Sequence, residues 1–249
     1  MRTNYFFRQI VLIALTLVWA PLTKADTLIA DLSSHLIAIT TGFKGTDLLM
    51  FGSIDAPGDI IVVVQGPLTS IIVRKKERLA GVWVNQANVT FENIPSFYAI
   101  ASSKPIEQIL SPETQKQLNI GIENVPMKVD GELTPEEEKQ FHEALITNKR
   151  LQELYYTDIA RVNFMGRELF RTNIFFPSNV PTGDYVVDIM LVRDKNVVGV
   201  QRTPLVVSKV GFGAEIFDFA HQQKWFYGSL SICLAIFGGG VGYVFFRRR

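Results

Sequence analysis

The chain has 249 residues, with 25 lysines and arginines against 24 aspartates and glutamates, and 47% of it is hydrophobic. The charge balance excludes bulk attraction to nucleic acid or an acidic polymer, and the composition excludes a disordered or low-complexity chain. The single cysteine, Cys233, falls in a C-terminal apolar run. This removes disulfides, thiolate metal sites, cysteine catalysis and lipoprotein processing from the rest of the chain.

At the N-terminus, Arg2 and Arg8 precede the apolar run IVLIALTLVW, and Pro21, Thr23, Lys24 and Ala25 follow it. A basic start, a short apolar region and a small-residue T-x-A site predict a signal peptide over 1–25, cleaved after Ala25. The alternative is a retained signal anchor. Against it, the run is shorter than the roughly 20 apolar residues that a span needs, and Pro21 breaks it.

Residues 26–210 read as one extracytoplasmic domain. Short apolar runs with period-2 character predict strands over 35–40, 47–51, 59–65, 70–74, 81–85 and 89–92, and again over 169–176, 184–192, 197–201 and 205–209. Glycine, proline, asparagine and aspartate separate them. Such strands read as a β-sandwich or barrel, and the motif that follows favours the first, so the fold class expected is mainly β, an immunoglobulin-like β-sandwich. Pro181-Thr182-Gly183-Asp184-Tyr185 ahead of an alternating strand, with the turn Arg193–Asn196 behind it, resembles the tyrosine corner of such sandwiches.

Between the two β halves, residues of about 105–156 predict an α-helical insertion. Ser111-Pro112-Glu113 is a helix start. Thr134-Pro135-Glu136-Glu137 is a capping box with proline at the first helical position. Phe141, Leu145, Leu151, Leu154 and Tyr155 give an apolar stripe, and 124–131 reads as a loop.

The juxtamembrane stretch 211–224 carries Phe212, Ile216, Phe219 and Ala220 on one helical face. The run 225–246 (WFYGSLSICLAIFGGGVGYVFF) has no charge and is long enough to cross a bilayer core of about 30 Å. Aromatic residues stand at both of its ends. The tail 247–249, Arg247, Arg248 and Arg249, anchors the topology with a cytoplasmic C-terminus, so that everything between the two ends faces out. Within the run, Gly238 and Gly242 make a G-x-x-x-G, and Ser231, Ala235 and Gly239 add a second ladder of small residues. Such residues let helix backbones approach in lipid, with a second copy or with another membrane protein.

Signals for chemistry are weak. His35, His142 and His221 lack partners at ligand spacing, and no nucleophile elbow is present. Gly42–Thr46 lacks phosphate-loop spacing and reads as a turn. These readings predict no catalytic residue, no metal and no cofactor. Arg74, Lys75, Lys76 and Arg78 form one dense basic run, read as the tip of a hairpin between strands. Its duty is a solvated loop or a contact with lipid head groups or an acidic partner.

The runs LSSHLIAITTGFKGTDLLMFGSI (32–54), GDIIVVVQGP (58–67), VRKKERLAGVWVN (73–85), FENIPSFYAIASS (91–103) and NVPTGDYVVDIMLVRDKNVVGVQRTPLVVSKVGF (179–212) resemble those of an alphaproteobacterial transmembrane protein family. The resemblance implies a bacterial inner-membrane, single-pass protein with its bulk in the periplasm. It transfers no catalytic residue. It also implies neighbouring permeases of the sulfite-exporter type, which favours a non-enzymatic accessory subunit of an inner-membrane complex over a small-molecule or anion-binding module, and either over a cryptic enzyme. The partners expected are the lipid bilayer, a membrane protein and a second copy through the span, with no nucleic acid.

Overall fold

The computed structural model describes residues 28–79, 82–131, 133–156, 159–211 and 219–247, with backbone alone at 75–79, 82–87, 244 and 245. The signal peptide expected over 1–25 lies outside the described residues, as do Arg248, Arg249 and residues 212–218.

In chain order the strands of the first half are β1 (Leu28–Leu32), β2 (Leu36–Ile39), β3 (Gly45–Ile54), β4 (Asp59–Gln65), β5 (Leu68–Leu79), β6 (Val82–Pro95) and β7 (Tyr98–Ser102). Helices α1 (Ile106–Ile109) and α2 (Pro112–Gln117), strand β8 (Lys128–Asp130) and helix α3 (Pro135–Leu151) follow. The second half holds β9 (Ala160–Arg161), β10 (Asn163–Met165), β11 (Leu169–Pro177), β12 (Gly183–Arg193) and β13 (Asn196–Lys209), and the described chain closes with α4 (Lys224–Arg247). The chain is mainly β, as its period-2 runs predict.

The strands form three sheets, ordered β1-β3-β11-β10, β2-β13-β12-β4-β7-β9 and β5-β6-β8. The first two sheets share one core. Phe97 stacks on Phe176 of β11 at 4.9 Å between ring centroids, and Tyr185 of β12 meets Phe176 at 5.9 Å. The Tyr185 hydroxyl donates to the Pro181 carbonyl at 2.7 Å, the upstream backbone bond of a tyrosine corner.

Burial follows the sequence pattern strand by strand. In β11, Phe170, Thr172, Ile174 and Phe176 point into the core, while Leu169, Arg171, Asn173 and Phe175 point out. That strand is covered on one face only. In β4, Ile60 to Val64 are all buried, because both faces are covered. One side faces the sheet of β1, β3 and β11. Ile106, Ile109, Leu110, Ile120 and Ile122 of the helical segment belong to the same core and cover the other.

Strands β4 to β7 make one long hairpin with a bend. Gln65 pairs with Tyr98 in the inner half, and Leu68 pairs with Pro95 in the outer half. Two bonds join the halves, from the Gly66 amide to the Phe97 carbonyl at 2.9 Å and from the Ser96 amide to the Pro67 carbonyl at 2.9 Å. Gly66 allows the close approach: a Cβ there would lie 2.6 Å from the Ser96 hydroxyl oxygen and 2.9 Å from the Phe97 nitrogen.

The structure corrects several boundaries. The strands predicted at 81–85 and 89–92 are one strand, β6. Those at 197–201 and 205–209 are also one, β13, running through Pro204. Proline is tolerated there because β2 joins β13 only from Val206 onward. The stretch read as a loop at 124–131 holds β8, which pairs with Thr90–Glu92 of β6. Three residues are too few to show a period. Leu151, placed on the apolar stripe, is exposed.

Both helix starts are built as the sequence predicts. The Ser111 hydroxyl accepts from the Thr114 amide at 3.2 Å. The Thr134 hydroxyl accepts from the Glu137 amide at 3.4 Å, and the Glu137 carboxylate accepts from the Thr134 amide at 3.1 Å.

Candidate functional site

Titratable groups in the core act as clasps. Burial pushes the hydroxyls of Tyr98, Tyr155 and Tyr185 well above the usual tyrosine value. The Tyr98 hydroxyl accepts from the Gly121 amide at 3.0 Å, and Tyr155 donates to the Pro95 carbonyl at 2.6 Å. These bonds tie the helical segment to β7 and to the end of β6. His35 meets Asp31 at 3.1 Å on the surface. Among the described residues no three histidine, cysteine, aspartate or glutamate side chains gather as a metal set would.

Helix α4 carries the predicted packing residues. With about 100° per residue, Ser231, Ala235, Gly238 and Gly242 share one face at 4-3-4 spacing, and Gly239 lies to its side. A Cβ on Gly238, Gly239 or Gly242 would meet nothing within 4 Å. The Ser231 hydroxyl donates to the Tyr227 carbonyl at 2.8 Å, so it is satisfied within its own helix. Trp225, Phe226, Ile236 and Phe237 are bare. At the helix end Arg247 stands 5.7 Å from the Tyr243 ring.

The basic run is not a loop. Strand β5 continues through it, with Arg74 opposite Asn88, Lys75 opposite Ala87, Lys76 opposite Asn85 and Arg78 opposite Trp83. Period-2 burial is the usual sign of a strand, and in the outer hairpin Ile72 and Arg74 remain exposed. The side chains of Lys75, Lys76 and Arg78, and that of Trp83, read as a packing residue, lie outside the described residues.

Beside this strand is a groove of about 450 Å³. One wall is the four consecutive β5 residues 71–74, and the other is the α3 face of Ala144, Leu145, Asn148 and Lys149 with the capping residue Gln152. Lys149 is 8% exposed. Its ammonium donates to the Ser96 carbonyl at 3.3 Å and lies 5.8 Å from the Tyr155 ring. Among the described residues it has no carboxylate partner, and burial lowers its pKa. Sequence reading missed this groove. Its one signal is Lys149 itself, four residues beyond Leu145 on the stripe that starts at Phe141.

The outer face of β1, β3 and β11 is a second surface. Ile29, Phe51, Met165 and Leu169 line a depression of about 480 Å³ and are exposed. Next to it, Asp47, Arg161, Arg171, Asn163 and Asn173 line another of about 490 Å³.

Among the described residues α4 is the one helix long and apolar enough to cross a membrane, and with the β core it defines a membrane-protein class with a large folded domain. The chain belongs to the family described as "Putative transmembrane protein (Alph_Pro_TM)", whose model matches residues 27–248. No curated protein and no solved structure matches it.

Proposed function

We propose that this chain is a non-enzymatic accessory protein of a bacterial inner-membrane complex. On this reading an immunoglobulin-type sandwich with its helical insertion stands in the periplasm, α4 spans the membrane once, and Arg247 to Arg249 hold its end in the cytoplasm. The observation that carries the reading is the pattern of Ser231, Ala235, Gly238 and Gly242 on one face of an apolar helix long enough to span a membrane. In lipid such a face lets another helix approach closely, from a permease-like membrane protein or from a second copy. A second reading is an anion-binding module, favoured by Arg161 and Arg171 beside Asn163 and Asn173, two cations against the single carboxylate of Asp47.

Two experiments separate the readings. Gly238→Leu with Gly242→Leu keeps α4 apolar and blocks close helix approach, so recovery of a partner cross-linked in native membranes is expected to fall. Unchanged recovery of every partner sinks the accessory reading. A parallel thermal-shift series with inorganic sulfate and phosphate, responding only while Arg161 and Arg171 are intact, supports the anion module.

A further inference from the structure

The groove beside β5 has the form of a strand-accepting slot. In the sheet β5-β6-β8, β5 is an edge strand, and among the described residues nothing pairs with its free side. Alternate residues of an edge strand turn their N–H and C=O groups outward. Here four consecutive residues, 71–74, line the groove, so it runs along the strand's edge. Helix α3 and its capping residue Gln152 form the opposite wall from Leu145 onward. The two walls run about 10 Å each, which matches three or four residues of extended chain.

The charge of the slot selects the occupant. Arg74 stands at one end with no carboxylate partner among the described residues, and Lys149 lines the helix wall, buried and equally without one. A buried cation without a counter-charge is costly unless something supplies the charge. Basic residues on an edge also deter pairing between like copies, and the same charges attract an acidic strand.

We propose that the groove between β5 and α3 binds an extended acidic segment of a partner protein, which adds to the β5 edge as a further strand and sets a carboxylate against Arg74 and Lys149. The main chain of the segment supplies the pairing, and its alternate side chains face α3. This names the partner chemistry for the accessory reading but uses a different surface. Recovery through α4 and binding at β5 are measured separately, so either can fail alone.

The test uses the full chain in phosphatidylcholine nanodiscs and a short fluorescein-labelled peptide of alternating valine and glutamate, followed by fluorescence anisotropy. The expected result is saturable binding that weakens by about tenfold or more when lysine replaces glutamate, when two central residues become proline, and in the variants Arg74→Glu and Lys149→Met. Arg74 is exposed, so Arg74→Glu carries the test if Lys149→Met does not fold. Absence of saturable binding overturns the proposal, and so does equal binding of the proline peptide, which cannot pair along the edge. Binding of phosphatidylglycerol vesicles that is lost in Arg74→Glu, with no peptide binding, overturns it in favour of a membrane surface.

Discussion

Strands β4 and β7 are the inner half of a hairpin whose outer half is β5 and β6, and the two halves meet different surroundings. In the inner half Ile60 to Val64 and Tyr98 to Ser102 are buried without a break. In the outer half Leu68 and Ile72 are exposed, and a dense basic run occupies the strand. The backbone pairing is antiparallel in both. What differs is what lies against the two faces. The inner half sits between a sheet and a helical segment, so apolar side chains serve on both sides. The outer half keeps one face on the core, through Val89, Phe91 and Ile94 of β6, and leaves the other face, with Ile72 and Arg74, exposed. One hairpin thus combines a structural half with a half free to meet something else.

The largest test of this contrast is in β4. Ile61 is 0% exposed. Ile61→Ala deletes buried methyl groups from a site packed on both faces, so it is expected to cost about 2–5 kcal/mol. Urea denaturation of the micelle-solubilised chain measures the cost. A loss below about 1 kcal/mol would mean that the inner half is not the packed core it is taken to be.

The next test is the joint. Gly66→Ala puts a methyl group where the Ser96 hydroxyl and the Phe97 amide already stand. The backbone neighbour cannot swing away, and overpacking of this kind costs about 1–3 kcal/mol. The same denaturation experiment reads it. A neutral result would mean that the bend opens freely and that the two halves are not held at a fixed angle.

The contrast also explains what the sequence could reveal. DIIVVVQ in β4 and LFRTNIFF in β11 announce strands, because burial on two faces or on one leaves a continuous or an alternating apolar pattern. Thr134 to Glu137 announces a helix start, because a capping box is local. The Tyr185 corner is local too. The basic run in β5 hides its strand, since pairing alone leaves no hydrophobic period. The groove is hidden further, because its walls, 71–74 and 145–152, are far apart in the chain and only the folded packing of α3 beside β5 makes them neighbours. Short β8 and β9 owe their pairing wholly to β6 and β7.

The smallest expected effect completes the comparison. Ile72→Ala makes the same deletion as Ile61→Ala on the other half of the same hairpin. Ile72 is 55% exposed and points away from the core that Ile71 and Val73 adjoin. The loss should stay within about 0.5 kcal/mol, as for other surface positions. β-propensity favours isoleucine over alanine in a strand, which sets the sign as a slight destabilisation. A cost approaching that of Ile61→Ala would show that Ile72 is covered in the intact protein, on the side where it now lines the open groove.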